Sequence, residues 1–188
     1  MGIHYNGPGG KKQPLRGGMA FVLYWENGDD GRKMHPVGLV GKDMSPKAGA
    51  PSGLVQFRFS TTATELDTYA LRTSQLQWRP GNGHWQSLYL RKGKDYYLAT
   101  DGDWKMPAIK DAAITSAHIA FRLRMDIAGK GDMWISDDQN TGSIRMRDTE
   151  DASARLVAVR RGPDDAPDDP FGTEQNFPVY TLDELNNI

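Results

Sequence analysis

Cysteine is absent from the 188 residues. That excludes a disulfide framework, thiolate metal ligation and a cysteine nucleophile. Long apolar runs are absent as well. Nothing approaches the roughly 20 residues that a membrane-spanning helix needs. Residues 1–15 hold no apolar stretch of the kind a secretory leader carries, so cytoplasmic synthesis is the expectation. The four histidines, His4, His35, His84 and His118, stand at no ligand spacing to one another. A serine elbow, a phosphate loop and a dinucleotide fingerprint are all missing. Glutamate is scarce, and two of its five copies, Glu174 and Glu184, fall near the C-terminus. Paired carboxylates for glycosidic chemistry therefore have few candidates. These gaps point away from an enzyme and away from a bound cofactor.

Much of what is present is turn chemistry and short strands. The chain has 21 glycines and 11 prolines, with 38% apolar residues. Segments 19–25, 35–40, 54–60, 84–91, 95–99, 119–125, 133–136, 143–147 and 155–161 read as strands separated by Gly, Pro, Asn and Asp clusters. Two alternate cleanly: Val55, Phe57 and Phe59 in one, and Ile119, Phe121, Leu123 and Met125 in the other. Period-2 spacing places these seven on inward faces. Residues 69–78 also read as a strand, with a phase slip that predicts a bulge near 73–75. Residues 108–117 predict a weak helical turn. The spacing of about ten short strands predicts an all-β fold, an antiparallel two-sheet sandwich of jelly-roll type, with an immunoglobulin-like sandwich as the alternative.

Three parts follow: a Gly/Pro-rich basic arm over 1–18, a sandwich domain over 19–162, and an acidic arm over 163–188. The last part carries seven acids and no Lys or Arg, leaving 23 basic and 17 acidic residues, a net +6, in residues 1–162. Thr181-Leu182-Asp183-Glu184 spells a capping box for a short helix. Phe177, Tyr180, Leu182, Leu185 and Ile188 are the side chains by which this arm would anchor.

Three constellations could bind a partner. Trp78, Trp85, Tyr97 and Trp104 belong to an aromatic cluster that could stack on sugar rings, although rings alternating into a sheet also fill cores. Arg122, Arg124, Arg145 and Arg147 alternate outward from two strands and form a basic face. Nucleic acid is one partner for such a face, but the overall charge of −1 and the acidic arm argue against free nucleic acid. Asp101, Asp103, Asp137 and Asp138 sit in acidic loops that match a calcium loop only in part, since Gly142 takes the third ligand position counted from Asp138. Asp and Asn also serve as ordinary turn residues.

The expected function is a non-enzymatic structural or assembly protein. Its arms would reach neighbouring subunits, giving a homo-oligomer or a virion component such as a capsid or tail accessory. That expectation is an analogy from architecture. A carbohydrate-binding module is the first alternative and a β-sandwich hydrolase the second.

Overall fold

The computed structural model describes residues 2–6, 12–25, 35–37, 56–79, 84–92, 96–100, 102, 104–115, 120–127, 129, 131–137, 144–147 and 155–160. Within them the chain is all-β apart from one helical turn. The strands are β1 (His4–Asn6), β2 (Lys12–Pro14), β3 (Val22–Trp25), β4 (His35–Pro36) and β5 (Gln56–Phe59). The turn α1 (Thr68–Leu71) comes next, then β6 (Leu76–Arg79), β7 (Gln86–Ser87), β8 (Tyr89–Lys92), β9 (Tyr96–Ala99) and β10 (Trp104–Lys105). The last five are β11 (Ile109–Ile114), β12 (Ala120–Ile127), β13 (Gly131–Asp137), β14 (Ile144–Arg147) and β15 (Leu156–Val159).

The alternation in β12 makes it the organising strand. Phe121 pairs with both Ile114 and Leu156, while Arg124 pairs with both Asp111 and Trp134. A strand has two edges, so β11 holds one edge of β12 while β13 and β15 share the other. The large sheet therefore forks. One branch runs through β15 to β3 and β4, and carries the hairpin β1–β2. The other runs β13–β14–β9–β8–β10. A separate antiparallel sheet, β5–β6–β7, is stitched to the first branch by a bridge between Phe21 and Phe57.

One apolar core draws residues from both sheets. Phe57, Phe59, Phe121 and Leu123 are fully buried and Met125 nearly so, as the alternation predicts. Val55 and Ile119 lie outside the described residues. Phe59 packs against Phe21 at 5.4 Å and edge-on to Phe121 at 6.2 Å between ring centroids. That brings Phe59 of the small sheet into contact with Phe121 of the large one. Burying each such ring contributes roughly 1.5–3 kcal/mol.

Four expectations change. Residues 1–18 are not an irregular arm in their described part. Strands β1 and β2 pair with each other, β1 pairs with β15, and Ile3, Tyr5 and Leu15 are core residues. Some glycines here serve close approach rather than freedom: a Cβ at Gly17 would stand 2.0 Å from the Thr61 carbonyl oxygen. Residues 69–71 are helical, not extended. The Asp67 carboxylate accepts from the Ala70 amide at 2.8 Å and caps the turn. The phase slip near 73–75 thus marks a change of element. Residues 109–114 form a strand rather than a helical turn, because pairing along β12 outweighs the helical preference of Ala112 and Ala113. Finally, Trp78 does not join an aromatic platform open to sugar rings. Its register partners are Phe57 and Gln86, and it points into the core.

Candidate functional site

Strand alternation gives every core-facing residue a neighbour that faces away, and the outward faces are where the chemistry collects. On β5 and β6 the core-facing set is Phe57, Phe59, Leu76 and Trp78. The opposite set is Gln56, Arg58, Gln77 and Arg79, paired Gln56 to Arg79 and Arg58 to Gln77. Each arginine Nε donates to the glutamine across from it, both at 2.7 Å. Their guanidinium carbons lie over the ring of Trp85, Arg58 at 4.7 Å and Arg79 at 4.6 Å. Arg79 is only 1% exposed and Gln56 is wholly buried. Two buried N–H donors of this cluster, Gln56 Nε2 and Trp85 Nε1, find no acceptor among the described residues. Charge-assisted bonds and cation–π contacts tie these side chains into one cluster.

A second arginine–tryptophan row crosses the outward face of the large sheet. Asp111 on β11, Arg124 on β12, Trp134 on β13 and Arg147 on β14 stand in one register line. The Arg124 guanidinium lies 5.2 Å from the Trp134 ring centroid and bonds Asp111 at 3.0 Å. It also approaches Asp132 at 3.7 Å. Lys110 binds Asp132 at 2.7 Å. The hydrogen bond from Lys110 holds the Asp132 carboxyl below its ordinary range; desolvation opposes it, and the nearby charges of Lys110 and Arg124 add smaller lowering effects. Arg72 reaches Asp111 at 3.7 Å. Five charges of alternating sign therefore form one network with a net charge of +1.

The four arginines expected to make a basic face do lie on two strands of one sheet, Arg122 and Arg124 on β12 and Arg145 and Arg147 on β14, with β13 between them. Arg145 stands in register with Ser136 and Tyr97. Arg124 is already matched by carboxylates, so the face is less basic than the arginine count alone implies. Beside it the same side of the sheet turns apolar and is already covered within the chain. Val22, Ala120, Val157 and Val159 are buried to within 4% yet stand outside the main core cluster. They form one strip, since Ala120 pairs with Val157 and Val22 with Val159.

The aromatic candidates disperse. Trp78 is in the core, with its indole N–H donating to the Ser87 carbonyl at 3.1 Å. Trp85 belongs to the arginine cluster of the small sheet. Tyr97 lies on β9 in the large sheet, and Trp104 is 48% exposed on the edge strand β10. Of the cation candidates, Asp137 closes β13, while Asp101, Asp103 and Asp138 lie outside the described residues. No group of three or more metal-ligating side chains occurs among the described residues. The anchor residues Phe177, Tyr180, Leu182, Leu185 and Ile188 also lie outside them. No described helix is long and apolar enough to cross a membrane.

Sequence reasoning missed Arg58, Arg79 and Trp134 as site residues. The signal for Arg58 was present, since Gln56 and Arg58 alternate with Phe57 and Phe59. Their partners on β6 become visible only once register is known. Comparison with protein-family models, with curated proteins and with solved structures finds no match.

Proposed function

We propose that the chain is a non-enzymatic assembly protein, a two-layer sandwich of jelly-roll character that binds neighbouring copies of itself through the outward face of its large sheet. The observation that carries this reading is the composition of that face. An arginine–tryptophan row, Arg124, Trp134 and Arg147, crosses it in one register line. Residues 163–188 have the complementary composition: seven acids, no Lys or Arg, and Phe171, Phe177, Val179, Tyr180, Leu182, Leu185 and Ile188 as apolar anchors. Such a segment, presented by a neighbour, supplies carboxylates to the guanidinium groups and apolar side chains to the contact. Burial contributes most of the affinity, at roughly 25 cal/mol per Å² of apolar surface. Exposed ion pairs add only ~0–1 kcal/mol each. A particle component of the capsid or tail accessory kind would use its contacts in this way.

Light scattering on the full chain and on a chain ending at residue 162 tests this. The full chain should be oligomeric, and the shortened chain and Leu182→Asp should both be smaller. Equal particle sizes for all three would remove the proposal. Glycan binding retains Trp104 as its exposed ring. A flat tryptophan-fluorescence response to an oligosaccharide panel would remove that alternative.

A further inference from the structure

The edge of a sheet presents backbone N–H and C=O groups to which another strand can add. Most edge strands among the described residues are short. β4, β7 and β10 have two residues each, and β2 has three, ending on Pro14. β5 has four and is bridged to Phe21. The exception is β11, whose six residues pair with β12 on one side only. Among the described residues it is the longest edge, and so the one with most need of a cover.

The backbone of β11 shows what covers it. Thr115, directly after the strand, donates its N–H to the Ala120 carbonyl of β12 at 2.9 Å. Antiparallel pairing alternates, so Asp111 and Ala113 also turn their backbone groups to β12, while Ala112 and Ile114 turn theirs to the open side. The contacts of Ala112 agree. Its carbonyl accepts from Thr68 Oγ1 at 3.2 Å, and its N–H donates to the Asp111 carboxylate at 2.9 Å. Beyond the irregularity between Ile109 and Asp111, the Ile109 N–H donates to the Ser74 carbonyl at 2.9 Å. Two of these three outward bonds go to residues 68–74.

That segment is fastened at both ends. Asp67 caps α1 through the Ala70 amide, and Leu66 and Leu71 are fully buried. Arg72, which closes α1, reaches Asp111 at 3.7 Å, and Arg124 holds Asp111 from the other side at 3.0 Å. A four-residue helix has about one turn and no stability of its own. These contacts are what keep it beside β11.

We propose that α1 and the turn after it guard β11 against strand addition by a second copy of this chain. Every copy carries the same edge, and a two-fold axis sets two such edges antiparallel. In a pair centred on Ala113, Ala112 of each copy exchanges bonds with Ile114 of the other. While Thr68 and Ser74 are in place, a twin strand cannot reach Ala112 or Ile109. The guard concerns an edge of the large sheet and not its face, so it goes beyond the assembly reading and does not rest on it.

The lack of native cysteine gives a direct test in the full chain. Ala113→Cys sets one thiol at the centre of the proposed pair, where the two Cα atoms would stand ~4.5 Å apart, within disulfide reach. With the guard intact, a mild oxidant should link few copies. Adding Asp67→Ala and Thr68→Val removes the cap and the bond to Ala112, and should raise the yield of linked dimer by about tenfold. Thr68→Val alone keeps the cap and both buried leucines, and should raise it less. Lys105→Cys on the edge strand β10 should not respond to the same substitutions. An unchanged yield from Ala113→Cys in both loosened chains overturns the proposal, as does an equal rise from Lys105→Cys. Should melting show the double variant unfolded, Thr68→Val alone decides by the same criterion. Failure of the assembly reading would appear instead as an unchanged particle size on removing 163–188, and would leave the cross-linking result as it stands.

Discussion

Two arginine–tryptophan clusters sit on outward faces of the same molecule and solve the same electrostatic problem differently. On the large sheet, Arg124 is partly exposed and finds its counter-charges on adjacent strands, at Asp111 and Asp132. On the small sheet, Arg79 is buried, and its contacts include the Gln56 amide and the Trp85 ring. Water screens the first cluster, and each ion pair there contributes little. The second has no such screening, so each bond counts for more and each missing partner costs more. A count of arginines does not separate the two. Burial does.

The largest effect that frames this contrast belongs to the core beneath both clusters. Phe59→Ala removes the ring that touches Phe21 and Phe121, and should cost ~3–5 kcal/mol in denaturant unfolding. A loss below 1 kcal/mol would contradict the shared core. Next comes Arg79→Ala, expected to cost ~3 kcal/mol, because it strips a buried charge-assisted bond from Gln56 and a cation from Trp85. Arg124→Ala should cost ~1 kcal/mol or less by the same measurement. If the two arginine variants proved equal, the distinction between a buried and a screened cluster would collapse.

The smallest effect is a pH dependence at Asp132. Its carboxyl titrates below the ordinary carboxylate value in the folded state. Its contribution to stability is therefore complete above the unfolded-state pKa and is lost as pH falls through the lowered folded value. Asp132→Asn should lower the melting temperature slightly near neutral pH. That difference should vanish in strong acid, and added salt should shrink it. A difference that persisted in acid would mean that the Lys110 and Arg124 contacts are not its source.

Much of the sheet structure was legible because one face of each strand is apolar and the other is not. In β12, Phe121, Leu123 and Met125 announce their face before any partner is known. Strand β15 is different: Leu156 to Val159 are buried on both faces, and a run of apolar residues gives a strand without saying what lies on either side. The hairpin β1–β2 was hidden by its own composition. Glycines in the first 18 residues read as freedom, yet Gly17 is needed because the Thr61 backbone passes too close for any side chain. Trp78 and Trp85 read as one platform because they are seven residues apart, whereas register sends one to the core and the other to the arginines. Register also pairs Arg79 with Gln56 across 23 residues of sequence. No local pattern encodes that pairing, and the candidate site depends on it.

The union of β1 with β15 sets an order of events during synthesis. Asn6 pairs with Val159, and Arg160 reaches Ala20 across 140 residues of sequence. A ribosome releases residues in order, so the first strand waits without its central neighbour until nearly all the described chain has emerged. Ile3, Tyr5 and Leu15 are then apolar side chains with no finished core to enter, and such species are prone to association. Pairings this distant in sequence also close slowly.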